Sequence, residues 1–188
     1  MTTPRIAIII GSTRPGRAGA AIGRWVHEQA QQRDDASYEL VDLADFDLSL
    51  LNEALPPGAA NRNYENPNTR AWSQEIDKYD GYVFVTPEYN HGVPAALKNA
   101  VDVLYPEWAD KAVGFVGYGY DGGVRAIEQW RQIMANFRMT DVRAQVSLSL
   151  ITDVKDGEFS PAERRAGEVG GVLDQLVPMA SLLRQLRD

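Results

Sequence analysis

The chain has 188 residues, of which 44% are hydrophobic and 24% charged, and it contains no cysteine. This size and composition predict a soluble globular protein, neither disordered nor embedded in a membrane. The formal net charge of −7 argues against a duplex nucleic-acid partner, and the missing cysteines exclude disulfides, thiolate metal sites and cysteine nucleophiles.

Five short apolar or β-branched segments predict strands. They are "RIAIII" (5–10), "YELVDL" (38–43), "GYVFVT" (81–86), "AVGFVGYG" (112–119) and "VRAQVSL" (142–148). The first, third and fourth are almost continuously apolar, which is typical of parallel strands covered on both faces.

Apolar residues at helical spacing separate these strands and predict crossover helices around 22–30, 97–104 and 124–137. A weaker helix is predicted near 69–79, and a final one over 161–187 with a kink or break at Pro178. The segment 55–68 is predicted to be a long polar loop. Five βα units in a row predict one α/β domain over residues 1–188, a doubly wound parallel sheet with helices on both faces.

The sequence shows no motif typical of a membrane span, a signal peptide or a metal site. No apolar run approaches the roughly 20 residues needed to cross a bilayer, and the start "MTTPRIAIII" leads into a strand without a small-residue cleavage site, so a cytoplasmic location is expected. His27 and His91 lie far apart and no HExxH spacing occurs, so no metal site is predicted.

A doubly wound sheet binds ligands beyond the carboxyl ends of its strands, where the strand order reverses. The loops after the first, third and fourth predicted strands are "GSTRPGRAG" (11–19), "PEYNHGVP" (87–94) and "YGYDGG" (118–123). All three are rich in residues that expose backbone N–H groups or donate hydrogen bonds.

The first loop does not match the common nucleotide-binding turns. Gly11 and Gly16 have Walker spacing, but Arg17 and Ala18 stand where a lysine and a magnesium-binding hydroxyl are required. A dinucleotide turn fails as well, because Thr13 occupies the place of its second glycine.

A single terminal phosphate suits this loop better. Ser12 and Thr13 offer hydroxyl donors, the following helix offers free N–H groups, and Arg14 and Arg17 can neutralise a dianion. The alternative interpretation is a solvated turn with surface arginines.

The other two loops suit a flat aromatic ligand. Two prolines stiffen "PEYNHGVP", while Tyr89 and His91 supply planar surfaces; alternatively, it is a rigid turn closed by Asn90. Glycines dominate the third loop and its flank, at positions Gly117, Gly119, Gly122 and Gly123. They leave room for a ligand edge or simply form tight turns before a helix.

The motifs "GSTRPGR", "PEYNHGVPAALKNAVD" and "GYDGGVRAIEQWRQIM" together resemble the NADPH-dependent FMN reductase family of flavodoxin-like proteins, which includes quinone, azo-dye and chromate reductases. The resemblance spans roughly residues 5–150, and its middle motif is the specific one. It implies the flavodoxin strand order 2-1-3-4-5.

Carried over to this sequence, the resemblance implies three groups of FMN-binding residues. The phosphate group comprises Ser12, Thr13, Arg14, Arg17 and Ala18, the last standing where the family often has a small hydroxyl residue. The isoalloxazine border comprises Pro87, Glu88, Tyr89, Asn90 and His91, with the Asn90 N–H near the ring's N5. The pyrimidine edge is assigned to Gly119, Tyr120, Asp121, Gly122 and Gly123.

Two of these side chains have a second interpretation. Glu88 could act as a general acid or base, but a structural role is favoured because a flavin carries the redox chemistry itself. His91 either lines the nicotinamide side or caps its loop.

The implied activity is transfer of a hydride from NADPH or NADH to FMN and onward to a quinone, a second flavin or another small acceptor, in a homodimer or homotetramer. No arginine is uniquely placed in the sequence for a 2′-phosphate, so the nicotinamide preference stays open. A one-electron carrier, a non-catalytic nucleotide-binding module and a Walker-type phosphotransferase remain as alternatives. Trp25, Trp72 and Trp130 are predicted to be core residues, and Trp108 to lie at a subunit interface or near the site.

Overall fold

The computed structural model describes residues 3–187, in which five parallel strands form one sheet. These are β1 (Arg5–Ile10), β2 (Ser37–Asp42), β3 (Gly81–Pro87), β4 (Ala112–Gly119) and β5 (Thr140–Ser149). Their order is β2-β1-β3-β4-β5, and every neighbouring pair is parallel. The predicted flavodoxin-like order is therefore confirmed, and the strand order reverses between β1 and β3.

Six α-helices connect or flank the strands of the described chain, and a short 3-10 helix spans Leu43–Asp45. The α-helices are α1 (Gly19–Ala30), α2 (Pro57–Ala60), α3 (Pro67–Ile76), α4 (Ala95–Asp102), α5 (Val124–Asn136) and α6 (Arg164–Arg184). The apolar faces of α1 and α6 pack on one side of the sheet, and those of α3, α4 and α5 pack on the other. A short hairpin of β6 (Val154–Lys155) and β7 (Glu158–Phe159) precedes α6.

The central strands are buried because both of their faces are covered. In β1, Ile6 and Ile8 point to the α1 and α6 side, while Ala7 and Ile9 point to the opposite core. This alternation of side chains explains why a parallel strand covered on both faces needs an unbroken apolar sequence.

Four expectations about local structure need correction. Residues 57–60 of the predicted loop form α2, which begins at Pro57 and ends where Asn61 adopts a left-handed conformation. The final helix is not split at Pro178. The proline is exposed on one side of the helix, and buried apolar residues on the opposite side pack against the core both before and after it in the sequence. β2 lies one residue earlier than predicted, and β5 is three residues longer.

The tryptophans divide differently from the prediction. Trp72 and Trp130 are fully buried, as expected, whereas Trp25 is only half-buried. Trp108 was predicted at an interface or the site, and this is wrong: it lies in the core, donates Nε1–H to the Val101 carbonyl at 3.1 Å and packs edge-on against Tyr82. Within residues 3–187, no helix is long and apolar enough to cross a membrane.

Candidate functional site

A cleft of about 280 Å³ lies at the carboxyl ends of β1, β3 and β4, where the three predicted loops meet. Its walls are formed by Arg14, Ala18, Pro87, Glu88, Tyr89, Tyr118, Gly119, Tyr120 and Leu150. Seven of these nine residues were predicted from the sequence as cofactor-binding residues. The sheet brings them together because its parallel strands all end at this edge.

Ser12 joins the first loop to the second. Its buried hydroxyl lies 2.9 Å from the Tyr89 hydroxyl, and it also accepts a hydrogen bond from the Arg14 backbone N–H at 3.4 Å. Gly16 then adopts a left-handed conformation, with φ of 68°, just before α1 begins. The loop thereby directs the first turn of α1 at the cleft, where its backbone N–H groups favour an anion.

The two arginines of this loop have different environments. Arg17 forms an ion pair with Asp42 at the end of β2, and its Nε is buried without a partner among the described residues. Arg14 is exposed at the cleft and has no ion pair within residues 3–187. Arg14 is therefore the cation that is free to meet a ligand, and Arg17 keeps one unused donor.

The second loop is a tight turn that closes on itself. Tyr89 and Gly92 exchange backbone hydrogen bonds of 3.1 and 3.0 Å, and the two residues between them, Asn90 and His91, have positive φ. Gln129 of α5 fixes the turn by donating to the His91 carbonyl at 3.1 Å. Asn90 and His91 consequently lie at the exposed tip and do not line the cleft.

Glu88 links the second loop to the third. Its carboxylate accepts hydrogen bonds from the backbone N–H of Arg125 at 2.9 Å and from the Arg125 guanidinium at 2.6 Å. Asp121 accepts a hydrogen bond from the same guanidinium at 2.9 Å. The hydrogen bonds to Asp121 and Glu88 raise the pKa of Arg125. These contacts favour the structural interpretation of Glu88, and the sequence pattern had not singled out Arg125.

The third loop brings backbone close to the cleft. Gly122 and Gly123 both have positive φ, and a Cβ on Gly123 would lie 2.5 Å from the backbone nitrogen of Tyr118. Only glycine can occupy position 123, because the space and the conformation both exclude a side chain. The turn leads directly into α5.

Tyr118 and Leu150 line the cleft but were not predicted. The Tyr118 hydroxyl is buried, hydrogen-bonds to no other described residue, and lies against Gly19 in the first turn of α1. Burial raises the pKa of Tyr118, so its hydroxyl keeps its proton and can donate. Leu150 directly follows β5, and extending the strand-end argument to that strand would have found it.

Thr13 faces a different space from its neighbours. It lines an adjoining pocket of about 370 Å³ together with Leu43, Asp47 and Ala95. Asp121, Gly122 and Gly123 also lie outside the cleft lining and build its rim through the contacts described above.

The donors around the cleft fit a phosphate group. The buried Ser12 hydroxyl, the unpartnered Arg17 Nε, the unpartnered Tyr118 hydroxyl and the free Arg14 guanidinium all lie beside the start of α1. Such a set supplies hydrogen bonds and positive charge to a dianion. Glu88, the carboxylate in the cleft lining, is already bound to Arg125.

Comparison with known proteins gives a consistent result. The family model for NADPH-dependent FMN reductase matches residues 4–153. An NAD(P)H-dependent FMN reductase of Schizosaccharomyces pombe is 38% identical over 85% of this chain and 80% of its own length. A quinone reductase of Pseudomonas putida KT2440 is 33% identical over 68% of this chain and 67% of its own length.

A solved structure shares the fold. The flavoenzyme NAD(P)H:(acceptor) oxidoreductase of Paracoccus denitrificans superposes with a TM-score of 0.74 at 20% identity. The match covers 95% of this chain and 98% of that one.

Proposed function

The chain belongs to the NADPH-dependent FMN reductase family and is an FMN-dependent NAD(P)H oxidoreductase, and we propose that its FMN binds in the cleft at the carboxyl ends of β1, β3 and β4. Family membership removes the one-electron carrier, the non-catalytic binding module and the phosphotransferase as alternatives. The observation that carries the proposed location is the free Arg14 guanidinium and the unpartnered Tyr118 hydroxyl in the cleft where three strand-end loops meet. The unpartnered Arg17 Nε lies in the same loop as Arg14 but lines the neighbouring groove.

Each loop has a separate part in holding FMN. The phosphate is assigned to Ser12, Thr13, Arg14, Arg17 and Ala18, together with the unpredicted Tyr118. The isoalloxazine border is assigned to Pro87, Glu88 and Tyr89 in the cleft lining and to Asn90 and His91 at the exposed tip of the same loop. The pyrimidine edge is assigned to Gly119 and Tyr120 in the lining and to Asp121, Gly122 and Gly123 on the rim. The Ser12–Tyr89 and Glu88–Arg125 contacts support this assignment because they hold the three loops in one arrangement before any ligand arrives.

Bound FMN supplies the hydride and electron chemistry, so the protein needs no acid, base or nucleophile of its own. The chain's residues bind and orient the cofactor: α1 and the arginines hold the phosphate end, while the rigid second and third loops position the ring end. We propose a quinone or another small molecule as the acceptor, which the similarity to a quinone reductase supports.

We also propose a homodimer or homotetramer. Leu50, Leu51 and Leu55, in the segment after β2, are exposed and close together in the sequence. Exposed leucines of this kind are typical of surfaces that another chain covers. Sedimentation equilibrium of the wild type and of Leu50→Asp tests this: a single dimeric or tetrameric species should shift toward monomer in the variant, and a monomeric wild type would contradict the proposal. The cytoplasmic location stays a prediction from the sequence.

Titration of the FMN-free protein tests the proposed location. FMN should bind stoichiometrically and much more tightly than riboflavin, which lacks the phosphate. The reconstituted protein should oxidise NADPH or NADH with menadione as acceptor and give parallel-line kinetics, because donor and acceptor take turns at the cofactor. No FMN binding would contradict the proposed function, and equal affinity for FMN and riboflavin would contradict a phosphate site in the cleft.

A further inference from the structure

A second groove, of about 640 Å³, lies between α1 and the β6–β7 hairpin. Its wall includes Ala18, which directly precedes α1, and the α1 residues Ala21, Arg24, Trp25 and Glu28. Their spacing of three or four residues places them along one side of the helix. Arg14 and Ala18 line both this groove and the cleft, so the groove adjoins the proposed FMN site.

The groove concentrates positive charge that has no partner. Most arginines of this acidic chain are ion-paired, as Arg33 is with Asp35 and Arg165 with Asp153. Arg14 and Arg24 are exposed, and neither forms an ion pair with any residue between 3 and 187. Arg17 also lines the groove but is paired with Asp42, and Arg14 is assigned to the FMN phosphate, so Arg24 is left to bind a second anionic group. Phosphate matches the donors of a guanidinium best.

The rest of the lining favours a nucleotide over a simple oxyanion. Trp25 is half-buried, and its ring packs edge-on against Phe159 of the hairpin with the centroids 5.5 Å apart. A fixed indole is a stacking surface for a base. Glu28 and Glu158 also line the groove, and their carboxylates can accept hydrogen bonds from ribose hydroxyls or an exocyclic amino group.

We propose that this groove binds the 2′-phosphoadenosine end of NADPH, with Arg24 recognising the 2′-phosphate, an inference that rests on the proposed NAD(P)H oxidoreductase function. The 2′-phosphate distinguishes NADPH from NADH, so Arg24 selects between the two donors. The volume of the groove lies within the usual range for small-molecule sites. Arg24 carries the specificity rather than Arg14, because Arg14 also lines the cleft and is assigned to FMN.

A titration with 2′,5′-ADP measures binding to the groove without any catalytic turnover. The wild type should bind 2′,5′-ADP about tenfold or more tightly than 5′-AMP, because a charge-assisted hydrogen bond to the 2′-phosphate is added. Arg24→Ala should abolish this difference. Arg143→Ala is the matched control, since Arg143 is also exposed without an ion pair in the described chain but lies on β5, outside the groove. Its titration should match that of the wild type.

Steady-state kinetics give an independent readout on the FMN-loaded protein. In Arg24→Ala, the ratio of kcat/KM for NADPH to that for NADH should fall about tenfold. A wild type that binds 2′,5′-ADP no more tightly than 5′-AMP overturns the inference, and so does an Arg24→Ala variant that affects both nicotinamides equally.

The two proposals fail in different ways. A wild type that binds no FMN, or oxidises neither nicotinamide, contradicts the proposed function, whereas the 2′,5′-ADP titration still reports on the groove. An FMN-loaded, active reductase whose donor preference is unchanged by Arg24→Ala contradicts the groove assignment alone.

Discussion

The hydroxyl of Ser12 lies 2.9 Å from the hydroxyl of Tyr89, which joins the turn after β1 to the loop after β3. Ser12 is only 1% exposed, so solvent cannot readily replace a lost partner. We expect Tyr89→Phe to weaken FMN binding about five- to tenfold, because the buried hydroxyl loses its hydrogen bond and the loops lose their link.

Fluorescence titration measures this effect. Tyr105→Phe is the control, since it removes a hydroxyl that bonds the Asn136 carbonyl away from the cleft. Wild-type FMN affinity in Tyr89→Phe would show that the contact does not organise the site.

Arg14→Ala should weaken FMN binding about tenfold or more, because a charge-assisted hydrogen bond to the phosphate is lost. Riboflavin affinity should change little, since riboflavin carries no phosphate. Parallel titrations with both flavins measure the difference, and Arg143→Ala controls for loss of an exposed positive charge. Equal weakening of FMN and riboflavin would mean that Arg14 acts on the loop and not on the phosphate.

Glu88 and Asp121 bind the same guanidinium but should differ in importance. The Glu88 side chain is 8% exposed and that of Asp121 is 66% exposed. We expect Glu88→Ala to destabilise the fold clearly more than Asp121→Ala, because the less exposed Glu88 carboxylate accepts hydrogen bonds from both the backbone N–H and the guanidinium of Arg125, whereas Asp121 contacts the guanidinium alone. Urea unfolding of both variants decides the point, and equal effects would contradict the assignment of Glu88 as the link between loops.

Gly19→Ala should destabilise the protein, because the new Cβ would overlap the Tyr118 hydroxyl. Adding Tyr118→Phe removes the overlapping oxygen and should restore part of the lost stability. Gly167→Ala in α6 is the control, as nothing lies within 4 Å of its Cβ, and it should be neutral or stabilising by up to about 1 kcal/mol. Thermal unfolding of these variants and of Tyr118→Phe alone tests this, and additive losses in the double variant would rule out the predicted contact.

Lys111, which precedes β4, should make stability depend on pH. Burial lowers the pKa of Lys111 to about 7 from an ordinary value of 10.5. Between these values the unfolded chain binds more protons than the folded one, so the free energy of unfolding rises with pH, by about 2 kcal/mol from pH 7 to 9. Below pH 7 both states are protonated, and this contribution stays at its minimum.

Urea unfolding at several pH values checks the Lys111 prediction. The stability of the wild type relative to Lys111→Met should grow over the pH 7 to 9 window, because the variant lacks the titrating amine. A difference that does not change with pH would mean that Lys111 is not titrating there.

The sequence by itself determined the sheet and the loops that carry the candidate site. β4 has the same bounds as predicted, Ala112–Gly119, and β3 differs by one residue, because continuous apolar runs of this length must be buried on both faces. The rule that parallel strands end at a common edge then identified the loops after β1, β3 and β4. It also identified most of the cleft lining without any knowledge of contacts.

Tertiary structure alone decided how those loops are joined and which of their side chains face a ligand. Arg17 pairs with Asp42, Glu88 with Arg125, and Ser12 with Tyr89, over separations of 25, 37 and 77 residues. Periodicity reports only on neighbours a few residues apart, because helix and strand repeats are local. Contacts at these longer separations depend on how strands and helices pack, and so does the groove beside α1.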